Sequence, residues 1–278
     1  MIVIKNVNIN LKDTVICGQC FRFIEEIDNS FTIILNDRVI NIKQNNNDLI
    51  VKSNNETNLK KVIIEYFDLE TDYNRINSEI LKFDKTLSES VTLSKGFRIL
   101  KQNPFETLIS YIISQNNNVK RIMRSVELLS KKYGKRVEYN NNYYYLFPNF
   151  ESLKNITIED LKDIGVGFRD SYIINALTLL KNDTIDLEKI NDMETDKALD
   201  YLMLIKGVGP KVASCILLFA YKKYDVFPVD TWVIQAMQKL YPEIKSSQKE
   251  IIKFAKEKYG KYSGIALQYM YHSMRNIK

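Results

Sequence analysis

The stretch Leu204-Ile205-Lys206-Gly207-Val208-Gly209-Pro210-Lys211-Val212-Ala213 decides the reading of this chain. Two glycines around one apolar residue make a tight turn between helices, with Val208 docked inward. Gly209 can cap the next helix. Pro210 suits its first position, because the N–H that proline lacks would find no partner there anyway. A related run, Leu161-Lys162-Asp163-Ile164-Gly165-Val166-Gly167, stands earlier in the chain. Turns of this kind are ordinary helix punctuation. They also leave backbone N–H groups free at a helix N-terminus, which suits a phosphate.

Working outward, Lys211 sits at the N-terminal end of the new helix. A cation there opposes the helix dipole at a cost of about 0.3–1 kcal/mol. The same field favours the neutral amine, so a lowered lysine pKa is expected, which is useful for imine chemistry. The plainer alternative is a lysine that reaches solvent or grips a phosphate. Cys215 follows one turn later on the same face, with Leu218 and Phe219 beyond it. That stripe lines a pocket or fills a core. In Phe227-Pro228-Val229-Asp230-Thr231-Trp232, Asp230 precedes the apolar helix TWVIQAMQKL and is placed to cap it. A capping carboxylate is held rigid and ionised. It can stabilise positive charge or move a proton near the Lys211 amine.

The rest of the chain sets the frame. It has 278 residues, 45% hydrophobic and 27% charged, which excludes wholesale disorder. Forty basic against thirty-four acidic residues leave +6, mildly favourable to a nucleic-acid partner. No run of about 18 apolar residues spans a membrane, and the N-terminus alternates instead of forming a signal block. Cys17, Cys20, Cys215 and the single His272 are too few for a disulfide framework or a four-ligand metal site without carboxylate help. No metal is expected, and the thiols fit a reduced, cytoplasmic protein.

Residues 1–52 read as strands: Phe31, Ile33 and Leu35 alternate, as do Ile40 and Ile42, and Asn45-Asn46-Asn47-Asp48 makes a hairpin loop before Leu49-Ile50-Val51. After residue 56 the spacing turns helical. Asn103 can cap a helix opened by Pro104, with Leu108, Ile109, Ile112 and Ile113 on its apolar face. A further helix follows Asn116-Asn117-Asn118 and ends at Gly134, while Tyr143-Tyr144-Tyr145-Leu146-Phe147-Pro148 reads as an aromatic loop. The expectation is an α+β protein, a small antiparallel sheet domain over residues 1–85 and a helical domain over 86–278.

From Leu204 to Asp230 the chain resembles the helix-hairpin-helix DNA glycosylases with a Gly/Pro-rich loop and an aspartate, and a lysine just after the hairpin marks the bifunctional members. More narrowly it is similar to the 8-oxoguanine DNA glycosylase/AP lyases. Gly18-Gln19-Cys20-Phe21-Arg22, Asn116-Asn117-Asn118 with Arg121-Ile122, Gly165-Val166-Gly167-Phe168-Arg169 and Lys211-Val212-Ala213-Ser214-Cys215 carry that likeness. The resemblance implies a helical domain of two lobes with the cleft between them. Lys211 would attack sugar C1′, and Asp230 would assist departure of the base. The Gly18 carbonyl would accept the N7 hydrogen that 8-oxoguanine has and guanine lacks. Cys215 and Tyr271 would sandwich the base, with Phe219 nearby. Asn116 would fill the vacated space, Arg121 and Arg169 would contact the orphaned cytosine, and Phe168 would act as a wedge. Gly207 and Gly209 would grip a phosphate. The implied partner is damaged double-stranded DNA, with no organic cofactor, no membrane and one copy sufficient at a lesion.

Three positions depart from the family's pattern. Leu267 stands where the family has a glutamine that reads the base edge, with Gln268 adjacent. Phe168 replaces a common tyrosine, and Trp232 replaces a histidine found in some members at the DNA backbone. The alternatives are a glycosylase of this fold for another damaged base, a non-catalytic helix-hairpin-helix DNA-binding protein, and a redox protein using Cys17-x-x-Cys20.

Overall fold

A computed structural model describes residues 1–276. Strands β1 (Ile2–Ile4), β2 (Phe23–Glu25), β3 (Phe31–Ile34), β4 (Val39–Asn45) and β5 (Asp48–Ser53) form one antiparallel sheet in the order β1-β5-β4-β3-β2. The Asn-rich loop turns as expected. Asn45 pairs with Asp48, and Asn46 takes a left-handed φ of +52° that asparagine tolerates. Ile40, Ile42, Leu49 and Val51 are fully buried on one face, the period-two pattern of a half-buried sheet. Helix α1 (Leu11–Ile16) interrupts the strands, capped by Asn10, whose Oδ1 accepts the Asp13 N–H at 3.0 Å.

Helices α2 (Leu59–Tyr66), α3 (Tyr73–Phe83), α4 (Ser88–Leu93), α5 (Pro104–Ser114) and α6 (Val119–Tyr133) follow. Asn103 caps α5 through the Glu106 N–H at 3.0 Å, with Pro104 in the first turn. The tyrosine-rich segment is not a loop. Asn142–Tyr145 is strand β7, paired with β6 (Arg136–Tyr139), and the turn residues Asn140 and Asn141 have φ of +49° and +57°. Two consecutive positive φ values are what a two-residue hairpin turn requires, and asparagine supplies them. Tyr139 and Leu146 pack with Ile34 and Val39, so this hairpin leans on the sheet.

Then come α7 (Phe150–Leu153), α8 (Ile158–Lys162), α9 (Asp170–Lys181), α10 (Thr195–Leu202), α11 (Pro210–Tyr221), α12 (Thr231–Leu240), α13 (Gln248–Tyr259) and α14 (Ser263–Asn276). One core joins these helices and also takes Tyr73, Ile76 and Ile80 of α3, while Leu100 returns to the core under the sheet. The two cores therefore interleave along residues 73–100. Among the described residues no helix is long and apolar enough to cross a membrane.

Candidate active site

The hairpin before α11 has the geometry its glycines suggest. Gly207 adopts φ +83°, Val208 is buried, and Gly209 takes the N-cap position ahead of Pro210. Space as well as φ requires the first glycine: a Cβ on Gly207 would lie 2.3 Å from the Tyr172 ring. Asn175 completes the turn, its Oδ1 accepting the Lys206 N–H at 2.7 Å. At Gly209 a Cβ would meet nothing within 4 Å, so this backbone faces open space. Lys211 and Cys215 project from one face of α11. Asp230 caps α12, its Oδ1 accepting the Val233 N–H at 2.9 Å.

These residues share one pocket of about 460 Å³. Lys211, Asp230, Cys215, Phe219, Gly18, Leu267 and Tyr271 all line it. Gly18 sits at its edge with φ +94°, a conformation that side chains resist. Sequence reasoning missed Tyr111, which was hidden within the apolar face of α5. Its ring stacks on Phe219 at 5.6 Å and 22°, the Lys211 Nζ lies 5.8 Å from the ring centroid, and its hydroxyl donates to the Gln19 carbonyl at 3.3 Å. The one available signal was a polar-tipped aromatic among aliphatic neighbours.

On α14 both Leu267 and Gln268 reach the pocket. Leu267, Gln268 and Tyr271 all line the pocket, because positions i, i+1 and i+4 of a helix fan over one arc of about 100° with the third in the middle. Leu267 also borders an apolar recess with Trp232, Ala236 and Met274, which Gln268 does not touch. Gln268 is 8% exposed, and its amide makes no hydrogen bond among the described residues. The Gln19 amide, by contrast, is spent. It donates to the Thr14 and Arg98 carbonyls at 2.8 and 2.9 Å and accepts the Leu100 N–H at 2.9 Å.

The Lys211 amine is held above the ordinary lysine range. The Cys215 sulfur is the main cause, burial pulls the other way, and Asp230 and Tyr271 add to the rise. This overturns the lowered value expected from the helix N-terminus. Dipole effects of under about 1 kcal/mol at one helix end yield to the Cys215 sulfur and the Asp230 carboxylate that share the partly enclosed pocket of Lys211. Burial pushes the Cys215 thiol up, with Lys211 opposing. The resting pocket therefore holds an ammonium at neutral pH.

The DNA-facing candidates lie outside the pocket. Asn116 is exposed with φ +46°, and Arg121 is exposed at the start of α6. Phe168 is 54% exposed and Trp232 57%. Arg169 is placed otherwise than expected. It is 5% exposed, and its guanidinium donates to the carbonyls of Gln115 and Asn116 at 2.7 and 2.9 Å and of Val166 at 2.9 Å. It fastens the Asn116 loop to the first Gly-Val-Gly turn, with the Phe168 ring 4.4 Å from its Cζ.

Fold and site together define a helix-hairpin-helix base-excision protein. Residues 1–108 match the family model "8-oxoguanine DNA glycosylase, N-terminal domain", and residues 109–261 match "HhH-GPD superfamily base excision DNA repair protein". The chain belongs to the HhH-GPD superfamily of base excision DNA repair proteins. It is 31% identical to a probable N-glycosylase/DNA lyase of Methanothermobacter thermautotrophicus, over 76% of this chain and 74% of the relative. Its fold is similar to that of a Clostridium acetobutylicum 8-oxoguanine glycosylase/lyase in complex with double-stranded DNA containing cytosine opposite 8-oxoguanine. That match has a TM-score of 0.93 and 39% identity, and covers 99% of this chain and 94% of the other. MBOgg1, solved with a low-affinity DNA ligand, gives a TM-score of 0.95 and 38% identity, with 99% and 95% covered.

Proposed function

We propose that this chain excises 8-oxoguanine from duplex DNA and then cleaves the strand at the abasic site by β-elimination. The observation that carries the reading is the shared pocket of Lys211 and Asp230, walled by Gly18, Cys215, Phe219 and Tyr271. Extruding a base costs a few kcal/mol, and a slot with stacking walls offsets that cost. Gly18 turns its backbone to the slot edge, where its carbonyl accepts the N7 hydrogen of an 8-oxopurine. Guanine presents an acceptor there and is disfavoured by an unpaired polar contact. Gln268 supplies the amide for the base edge that Leu267 cannot.

Once deprotonated, the Lys211 amine bonds to C1′ as the bond from C1′ to the base nitrogen breaks and the departing base takes up a proton. Asp230 stabilises the positive charge that develops on the sugar. Loss of a proton from the nitrogen and opening of the C1′–O4′ bond, with O4′ taking up a proton, then give the imine. The imine draws electrons from C2′ as the C2′ proton passes to a base and the C3′–O bond breaks to release the 3′ phosphate. Outside the slot, Asn116 fills the gap left in the stack, Arg121 meets the orphaned base, Phe168 wedges the strand and Arg169 holds their loop. Gly207 and Gly209 present backbone N–H groups to a phosphate, beside Trp232. A reducing compartment that holds DNA, the cytoplasm in a prokaryote, keeps Cys17, Cys20 and Cys215 as thiols.

Borohydride trapping on an 8-oxoguanine duplex tests the chemistry. Wild type is expected to form a covalent adduct and Lys211→Gln none. An adduct with the variant, or preference for another lesion in a panel of duplexes, rejects the assignment.

A further inference from the structure

His272, the chain's single histidine, is buried beside Tyr271 of the slot. Its Nδ1 lies 3.0 Å from Ser94 Oγ, and its Nε2 lies 3.3 Å from Asp13 Oδ2. Phe97 tilts across the imidazole, 5.4 Å between ring centroids. Asn10 orients the carboxylate, its side-chain amide donating to Asp13 Oδ2 at 2.6 Å. The backbone N–H of Asn10 donates to the Gly96 carbonyl at 2.7 Å, and a Cβ on Gly96 would fall 2.7 Å from that nitrogen. Ser94, Gly96, Asn10, Asp13 and His272 thus form one tight knot.

Two elements lead from this knot to the lining of the slot. Helix α1, which carries Asp13, leads into the turn of Cys17 and Gly18, and the Gln19 side chain ties that turn back to the Thr14 carbonyl at 2.8 Å. Helix α14 carries Leu267, Gln268 and Tyr271, the last adjacent to His272. Lys211 and Asp230 ride on different elements, α11 and the start of α12.

We propose that His272 and Asp13 are positioning residues that bolt the α14 wall to the Gly18 wall and so set the width of the base slot. A neutral imidazole suffices, since its Nε2–H faces the carboxylate while the Ser94 hydroxyl donates to Nδ1. Releasing the bolt loosens the grip on a base but leaves the lysine and its aspartate where they are. The inference rests on the slot being the base pocket.

The test compares two reactions of the full chain: single-turnover excision from an 8-oxoguanine duplex, and strand cleavage on a duplex with a preformed abasic site, where no base enters the slot. His272→Ala and Asp13→Ala are each expected to slow excision about tenfold or more, since small misplacements carry such costs. Abasic-site cleavage should stay within about twofold of wild type. His272→Gln, whose amide still donates toward Asp13, should recover most of the excision rate. Parallel loss of both reactions, or unchanged excision in both alanine variants, overturns the proposal. Failure of wild type to excise 8-oxoguanine would instead reject the reading beneath it.

Discussion

Tyr111 and Phe219 stack face to face beneath the Lys211 amine, and the Tyr111 hydroxyl reaches the Gln19 carbonyl on the opposite wall. One side chain thus supports both the nucleophile and the turn that carries Gly18. An ammonium over an aromatic face gains about 0.5–2 kcal/mol, and the hydroxyl contact contributes about 1 kcal/mol. Tyr111→Phe keeps the ring and should trap within about fivefold of wild type, as a 1 kcal/mol loss permits. Tyr111→Leu should fall at least about tenfold, because the stack is lost as well. Adduct yields in time-resolved borohydride trapping decide the matter, and equal rates in the two variants would remove the ring from the account.

Cys215 is the main reason the Lys211 amine holds its proton. Attack requires the neutral amine, so cleavage at an abasic site should rise with pH through the neutral range. In Cys215→Ala the chief raising influence is gone, burial still lowers the value and Asp230 and Tyr271 still raise it, so the lysine pKa drops from its present level and the rising limb moves to lower pH. A pH–rate profile on preformed abasic duplex measures this directly. A limb that stays in place or moves to higher pH contradicts the assignment.

Gln268 and Leu267 flank Tyr271 but should behave differently. Gln268→Leu removes the free amide and should lower 8-oxoguanine excision by about 1–3 kcal/mol in transition-state terms, as for a good base-edge contact. Its melting temperature should hardly change. Leu267→Ala removes a fully packed side chain and should cost about 2–5 kcal/mol of stability. Chemical denaturation alongside single-turnover kinetics separates the two. If Gln268→Leu excises at the wild-type rate, the base edge is read elsewhere.

Burial pushes the Glu106 carboxyl up to about 7, with Arg22 pulling it down. A raised folded value means a contribution to stability that is complete below the unfolded value and disappears as pH climbs through about 7. The full shift corresponds to at most about 3 kcal/mol, and partial solvent access reduces this to about 1–2. Urea denaturation of wild type at pH 5.5 and 8 should show that fall, and Glu106→Gln should flatten it. Identical slopes in the two proteins would count against the carboxyl.

The hairpin glycines divide their labour. Gly207→Ala combines a left-handed φ with a collision on Tyr172 and should destabilise the protein by about 1–3 kcal/mol. Gly209→Ala meets open space within the protein and should cost no more than about 1 kcal/mol as a poorer cap. Any larger loss of duplex binding by Gly209→Ala then reports on the DNA backbone itself, which fluorescence anisotropy at two salt concentrations would register.

Much of this was legible residue by residue. Asn103, Pro104, Pro210 and Asp230 announce helix starts because capping chemistry is local. The β4–β5 turn follows from asparagines that tolerate left-handed backbone. Other features depend on partners distant in sequence. Helix α1 is too short to show a period, and β6–β7 is marked mainly by two asparagines that alternation alone does not reveal. The commitment of Arg169 to carbonyls of another helix end has no local signature. Neither does the pull of Asp230 on Lys211, which arises only once α11 and α12 meet.

The Tyr172 ring that presses on Gly207 also packs edge-on against Phe168. The two Gly-Val-Gly turns are therefore coupled through Tyr172, the proposed wedge on one and the proposed phosphate clasp on the other. A protein built this way cannot tighten its hold on the strand's outer rail without also leaning on the rungs. On that reading, searching undamaged duplex and prying at a lesion become one motion at different depths.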